Sequence, residues 1–243
     1  MDVAIRRRAY LRVEGADAAD YLQRMVSNDV EALQVGGSCQ ALLLTAKARL
    51  IAPLVVWRRG AEDFLLLTEP ELGEAVRTTL LRSRFAAKCE IELEEHASAV
   101  VFDEAEGLPG EVPGTVEVLD AGIETGGDLE RARIEAGVPA WGEELDDSIL
   151  PAEAGLDETH ISFTKGCYPG QEPIARLHHR GHANRRLTVL DVEAATPGDE
   201  IVHDGKAVGR VTSAVPGVAL GYVRVEVPEG AEVRAGGAVA RLR

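Results

Sequence analysis

From Leu187 onward the chain offers four short segments of alternating apolar and polar residues: Leu187 to Val192, Glu200 to His203, Ala207 to Val215 and Val218 to Val227. Alternation with a period of two is the pattern of a half-buried strand. Turn formers divide the segments, namely Pro197-Gly198-Asp199, Asp204-Gly205 and Pro228-Glu229-Gly230. No helical spacing intervenes, so these strands have only one another to pair with. A small antiparallel β-barrel satisfies them without leaving open edges. The change of pattern predicts a boundary near Arg186, with a barrel domain over 187–243.

Residues 1–186 mix both periodicities. Arg8 to Glu14 alternates as a strand, and Gly15-Ala16-Asp17 supplies a turn and a helix N-cap. Ala18 to Met25 follows as a helix, with Ala18, Leu22 and Met25 on one face. Gln40 to Thr68 reads as three strands, Ala41–Thr45, Leu50–Trp57 and Phe64–Thr68, and Pro70 opens a helix over Glu71–Phe85. Cys89–Leu93, Val100–Phe102 and Val116–Leu119 are further strands, and Leu129–Ala136 is a helix. Strands with helices packed on them place the chain in the α+β class, in mixed and antiparallel sheets.

A formal net charge of −15 over 243 residues sets the chain against phosphate backbones, so nucleic acid is not an expected partner. No apolar run approaches the roughly 20 residues of a membrane span, which removes the membrane as well. The arginines Arg6 to Arg8 have no apolar segment behind them, unlike a secretory signal, and a cytoplasmic setting is expected. Cys39, Cys89 and Cys167 are far apart and show neither a disulfide framework nor metal-ligand spacing. Cys39 and Cys89 lie in strand-like patterns and read as small buried hydrophobes.

Cys167 differs. It stands in Lys165-Gly166-Cys167-Tyr168-Pro169-Gly170-Gln171-Glu172, led in by His160-Ile161-Ser162-Phe163-Thr164. Two glycines and a proline impose a shaped loop, and the spacing from Gln171 to Leu177 supports a short helix with Pro173 in its first turn. A thiol near a helix N-terminus and two residues from a lysine is the arrangement that favours a thiolate. Cys167 is therefore the candidate for chemistry, with Lys165 beside it. A glycine turn around a half-buried Cys is the bland alternative.

The same stretch, Ile161-Ser162-Phe163-x-Lys165-Gly166-Cys167-Tyr168-x-Gly170-Gln171-Glu172, resembles the signature of the YgfZ family of folate-binding proteins, relatives of the glycine-cleavage T-protein. Gly15-x-Asp17-Ala18-x-x-Tyr21-Leu22-Gln23 and Ser27-Asn28-Asp29-Val30 resemble the opening of that group, and Arg133-Ile134-Glu135-Ala136-Gly137 resembles its Arg-x-Glu-Ala-Gly element. The likeness covers most of the chain, with a shortened middle between Ala97 and Gly127. It implies a T-protein-like domain of two α+β subdomains over 1–186, followed by a compact barrel. It also implies tetrahydrofolate or a one-carbon derivative as ligand, and a role in assembly or repair of iron–sulfur proteins, whose clients or assembly machinery become the expected partners.

In that family the Glu of the element contacts the pterin ring. Glu135 is then the contact here, with Arg133 beside it, since a carboxylate accepts two parallel N–H bonds from an aminopyrimidine edge. Tyr168, Gln171 and Glu172 belong to the signature loop and are expected at the ligand. Asn28 either faces the ligand or simply closes the helix. The run from Arg176 to Arg186, including His178, His179, Arg180 and His182, is the densest basic stretch and suits an anionic folate tail through Arg176 and Arg180. Gly181 breaks any ligating helical face among its histidines, so no metal is expected there.

One departure bears on activity. The T-protein carries acidic residues on its second strand, and Ala52 and Pro53 stand at those positions. Neither moves a proton, which argues against aminomethyl transfer and leaves enzymatic turnover an open question.

Overall fold

A computed structural model of the chain describes residues 2–102, 105–120, 126–181 and 183–243. The chain divides into two units. The first comprises Met1–Gly110, Gly114–Gly127 and Leu156–His179, and the second Glu111–Pro113, Asp128–Gly155 and Arg180–Arg243.

In chain order the first unit begins with β1 (Val3–Arg6), β2 (Ala9–Glu14), α1 (Ala18–Met25), β3 (Ser38–Leu44), β4 (Leu50–Arg58) and β5 (Asp63–Thr68). It continues through α2 (Gly73–Ser83), β6 (Glu90–Glu94), β7 (Ser98–Val101), β8 (Leu108–Pro109) and β9 (Val116–Leu119). Then come α3 (Leu129–Ala136) in the second unit and α4 (Gln171–Arg180), described with the first. The rest of the second unit is β10 (Arg185–Val192), β11 (Glu200–His203), β12 (Lys206–Val215), β13 (Gly217–Arg224), β14 (Glu232–Ala235) and β15 (Ala238–Leu242).

Two antiparallel sheets build the first unit. One is five-stranded in the order β3-β4-β5-β2-β6, and the other four-stranded in the order β1-β7-β9-β8. The apolar runs Leu42–Leu44 and Phe64–Leu67 are buried, and Tyr21, Leu22 and Leu80 of the helices are buried with them. Arg8 and Glu117 form a buried ion pair, with Arg8 Nη2 2.8 Å from Oε2, and Ser98 donates to the same carboxylate. The arginines of the N-terminal segment thus serve the sheet: Arg6 pairs with Glu69 in the same way. Asp17 is the N-cap residue of α1, but its carboxylate accepts from the backbone N–H of Lys88 instead.

Pro53 lies within β4, opposite Leu42 of β3. The β4–β5 ladder starts only at Val55, so the missing proline N–H costs that ladder no rung. Ala52 beside it is fully buried.

In the second unit the last six strands close into a barrel in the order β10-β13-β12-β11-β14-β15. Its interior is filled by Leu190, Ile201, Val211, Ala219, Val223, Val233 and Leu242, among others. The expected four strands are present, and β14 and β15 complete the ring by pairing with β11 and β10. Among the described residues no helix is long and apolar enough to cross a membrane.

Candidate functional site

In the first unit, α1 ends in a splice. Ser27 accepts from the N–H of Leu42 on β3 and donates to the carbonyl of His160, both at 2.7 Å. The Asn28 amide donates to the carbonyls of Gln40 at 2.7 Å and Thr159 at 3.2 Å. Its Oδ1 accepts from the N–H of Asp29. The segment leading into the signature loop is therefore stitched to β3 by the turn that stops α1.

Lys165 is buried, and its ammonium reaches back to that turn. It donates to the carbonyls of Gln23, Val26 (2.6 Å) and Asn28 (3.0 Å). These oxygens lie at the C-terminal end of α1, where the helix leaves carbonyls without intrahelical partners and the dipole is negative. The ammonium also lies 5.2 Å from the ring centroid of Tyr168, which is itself buried. Burial draws the Lys165 ammonium down to about 8, with the Asp29 carboxylate opposing. Burial pushes the Tyr168 phenol up to about 12.

The Lys165 charge is also felt at Cys39, where it partly offsets the burial that lifts that thiol to about 12. Cys89 is buried as the strand pattern implied, Cys39 is half-buried, and Cys167 is exposed.

Gly170 closes the loop with φ of 84°, and an added Cβ there would stand 2.6 Å from the carbonyl oxygen of Thr45 and 3.0 Å from Cα of Ala48. Only glycine meets both demands. The contact seats the start of α4 against the turn between β3 and β4. On α4 itself Ile174 is buried and Gln171 half-buried, while Glu172 and Arg176 are exposed. Phe163 stacks on His178 with centroids 3.9 Å apart, and His178 meets His179 edge-on. The Arg180 side chain and His182 lie outside the described residues. Among the described residues no group of three or more His, Cys, Asp or Glu could hold a metal ion.

In the second unit, α3 carries Arg133 and Glu135. Asp128 caps the helix by accepting from the N–H of Arg131, and Gly137 ends it with φ of 72°. Arg133 is buried, and protein acceptors surround its guanidinium. Nε and Nη2 grip Glu130 at 2.7 and 2.6 Å, Nη1 reaches Glu144 at 2.9 Å, and Nη2 also donates to Ser213 at 2.8 Å. Glu135 is exposed, and its carboxylate pairs with Arg131 at 3.0 Å. Of the basic run, Arg185 grips Glu153 and lies 4.7 Å from the Tyr222 ring centroid. Arg186 donates to the carbonyls of Val225 and Val227.

Glu144 and Ser213 were invisible to sequence reasoning. Glu143 and Glu144 adjoin in a glycine turn, and nothing local says which one is buried.

The fold is α+β, closed by a six-stranded barrel, and it is shared with the glycine cleavage system aminomethyltransferase T from Bartonella henselae. The TM-score is 0.82 at 19% identity, over 97% of this chain and 82% of that one. Residues 184–243 match the family model described as CAF17, C-terminal beta-barrel domain. An uncharacterized protein of Haemophilus influenzae is 29% identical over 226 residues, covering 84% of this chain and 81% of that protein. A mitochondrial iron-sulfur cluster assembly factor IBA57 homolog of Pyricularia oryzae is 28% identical over 238 residues, covering 83% of this chain but only 61% of that relative's length.

Proposed function

We propose that this chain is a YgfZ-type, tetrahydrofolate-binding factor of the cytoplasm that supports assembly or repair of iron–sulfur proteins, with their assembly machinery or clients as partners. The observation that carries the reading is the display of Cys167. Within Lys165–Glu172 the side chains of Lys165 and Tyr168 are buried, while the thiol is exposed. A loop held so firmly from inside, with a sulfur on its outer side, suits transient sulfur or cluster handling with a partner. One cysteine does not hold a cluster alone, since a cluster ordinarily takes four protein ligands. The likeness to the IBA57 homolog supports the same class of role.

Folate fits the donor set. Glu135 offers an exposed carboxylate to the N–H groups of an aminopyrimidine edge, and Arg133 serves it from within α3. Asn28, Tyr168, Gln171 and Glu172 are the proposed contacts of the first unit, with Arg176 and Arg180 for the anionic tail. When bound, tetrahydrofolate supplies nitrogens that carry one-carbon units. The shared fold favours a second reading, aminomethyl-type transfer, but Ala52 and Pro53 offer no carboxylate for its proton movements.

The test is complementation. In a cell lacking its own counterpart, the wild-type chain should restore iron–sulfur enzyme activity. Cys167→Ser should stay folded and bind folate yet fail to restore it. Full rescue by Cys167→Ser rejects the thiol's role. Ammonia release from an aminomethylated carrier protein at ordinary enzyme rates reverses the ranking of the two readings.

A further inference from the structure

The α3 helix has eight residues, too few to hold itself in water without tertiary support. Among the described residues, a buried apolar contact and a buried polar network attach it to the barrel, beside two exposed hydrogen bonds, Arg131 Nη2 to the Pro216 carbonyl at 2.8 Å and Arg243 Nη1 to the Glu135 carbonyl at 3.3 Å. Ile134 is fully buried in a cluster with Val218 and Leu220. The buried network is polar. Glu144, fully buried, accepts from Arg133 through Oε2 at 2.9 Å and from Ser213 of β12 through Oε1 at 2.6 Å. Oε2 also accepts from the N–H of Ala140 at 3.0 Å, and the Glu144 carbonyl accepts from the Tyr222 hydroxyl of β13 at 3.0 Å.

One buried apolar residue and two exposed hydrogen bonds restrain the rotation of a short helix only weakly, because apolar contact has no direction and exposed bonds compete with water. A guanidinium fork held at fixed distances by a carboxylate and a hydroxyl removes that freedom. We infer that Glu144 and Ser213 are positioning residues, acting through Arg133 to fix the rotation of α3 and hence the direction of Glu135. This rests on the folate reading for its consequence. It also accounts for an Arg two residues before the Glu: positions i and i+2 of a helix lie about 200° apart, so one is anchored and the other presented.

The test uses the full chain, with tetrahydrofolate as the probe. Arg133→Met, Glu144→Met and Ser213→Ala are combined, so that no buried charge or hydroxyl of the triad is stranded and volume is nearly kept. Cooperative unfolding should persist. The amides of α3 should exchange at least about tenfold faster than in wild type, and the tetrahydrofolate Kd should weaken by about tenfold or more although Glu135 is untouched. Wild-type values for either exchange or Kd overturn the inference, since a network that only adds stability predicts recovered affinity once stability is recovered. Should the triple variant not fold, Ser213→Ala alone is measured by the same readouts, with changes of about threefold expected and none overturning the inference. A wild-type chain that binds no tetrahydrofolate rejects the folate reading instead, and amide exchange in α3 then decides the positioning claim alone.

Discussion

In the first unit Lys165 is buried and Cys167, two residues on, is exposed; in the second, Arg133 is buried and Glu135, two residues on, is exposed. Both pairs use a long cation as an inward anchor and leave the residue two positions on exposed, a thiol in one and a carboxylate in the other. The anchors differ in what satisfies them. Among the described residues, the hydrogen bonds of Lys165 go to backbone carbonyls at the end of α1, whereas those of Arg133 include two carboxylates and a hydroxyl. Without a carboxylate in direct contact, the ammonium feels its desolvation and becomes titratable near neutral pH. The Lys165 anchor is therefore sensitive to pH.

The largest effect expected from breaking either anchor is at Arg133. Arg133→Met strands the fully buried Glu144 carboxylate, and such a loss costs about 3–5 kcal/mol. Chemical denaturation should show it, together with recovery when Glu144→Met is added. Lys165→Met should cost less, about 1–3 kcal/mol, because it leaves carbonyls short of a donor but strands no charge. Equal losses at the two sites would erase the distinction drawn between them.

The pH dependence sharpens the comparison further. Folded Lys165 releases its proton near 8, against an ordinary value of 10.5 in the unfolded chain. Between those values the unfolded state binds more protons, so this group makes stability rise with pH across that window. Half-buried Cys39 works in the opposite direction, with desolvation holding its proton up to about 12 against an ordinary 9.0. The quantity to measure is thus the stability difference between wild type and Lys165→Met, which should widen from pH 8 to 10.5. A difference that stays flat means the ammonium is not desolvated as described.

The smallest effect is at Glu135. Exposed and paired only at the surface, it should change stability by no more than about 0.5 kcal/mol when replaced by Ala. A larger loss by thermal or chemical unfolding would make it part of the scaffold.

Much of this architecture was legible in the chain. The helix Leu129–Ala136 has the bounds its spacing predicts, and the barrel follows from short alternating strands with turn residues between them. The strands the periodicity does not announce are β1, β8, β14 and β15. Strands β14 and β15 each offer the interior only two residues, Val233 with Ala235 and Ala240 with Leu242, and they are defined by pairing with distant partners. The site divides along the same line. Which residues sit in the signature loop and in α3 is a local matter, written in glycine, proline and periodicity. Where Lys165 and Arg133 send their charges is local only for Glu130, one turn before Arg133; the other oxygens come from Gln23, Val26, Asn28, Glu144 and Ser213. The sequence places a lysine beside a cysteine, and the folded chain turns that lysine toward helix α1.

Equilibrium titration of the folded chain with tetrahydrofolate, run in parallel on wild type, Cys167→Ser and Glu135→Ala, tests the central claim most directly. Wild type and Cys167→Ser should bind alike, since the thiol is displayed for a partner and not for the folate. Glu135→Ala should lose most of the affinity while unfolding at nearly the wild-type midpoint. No binding by wild type at millimolar tetrahydrofolate, or full affinity in Glu135→Ala, contradicts the account.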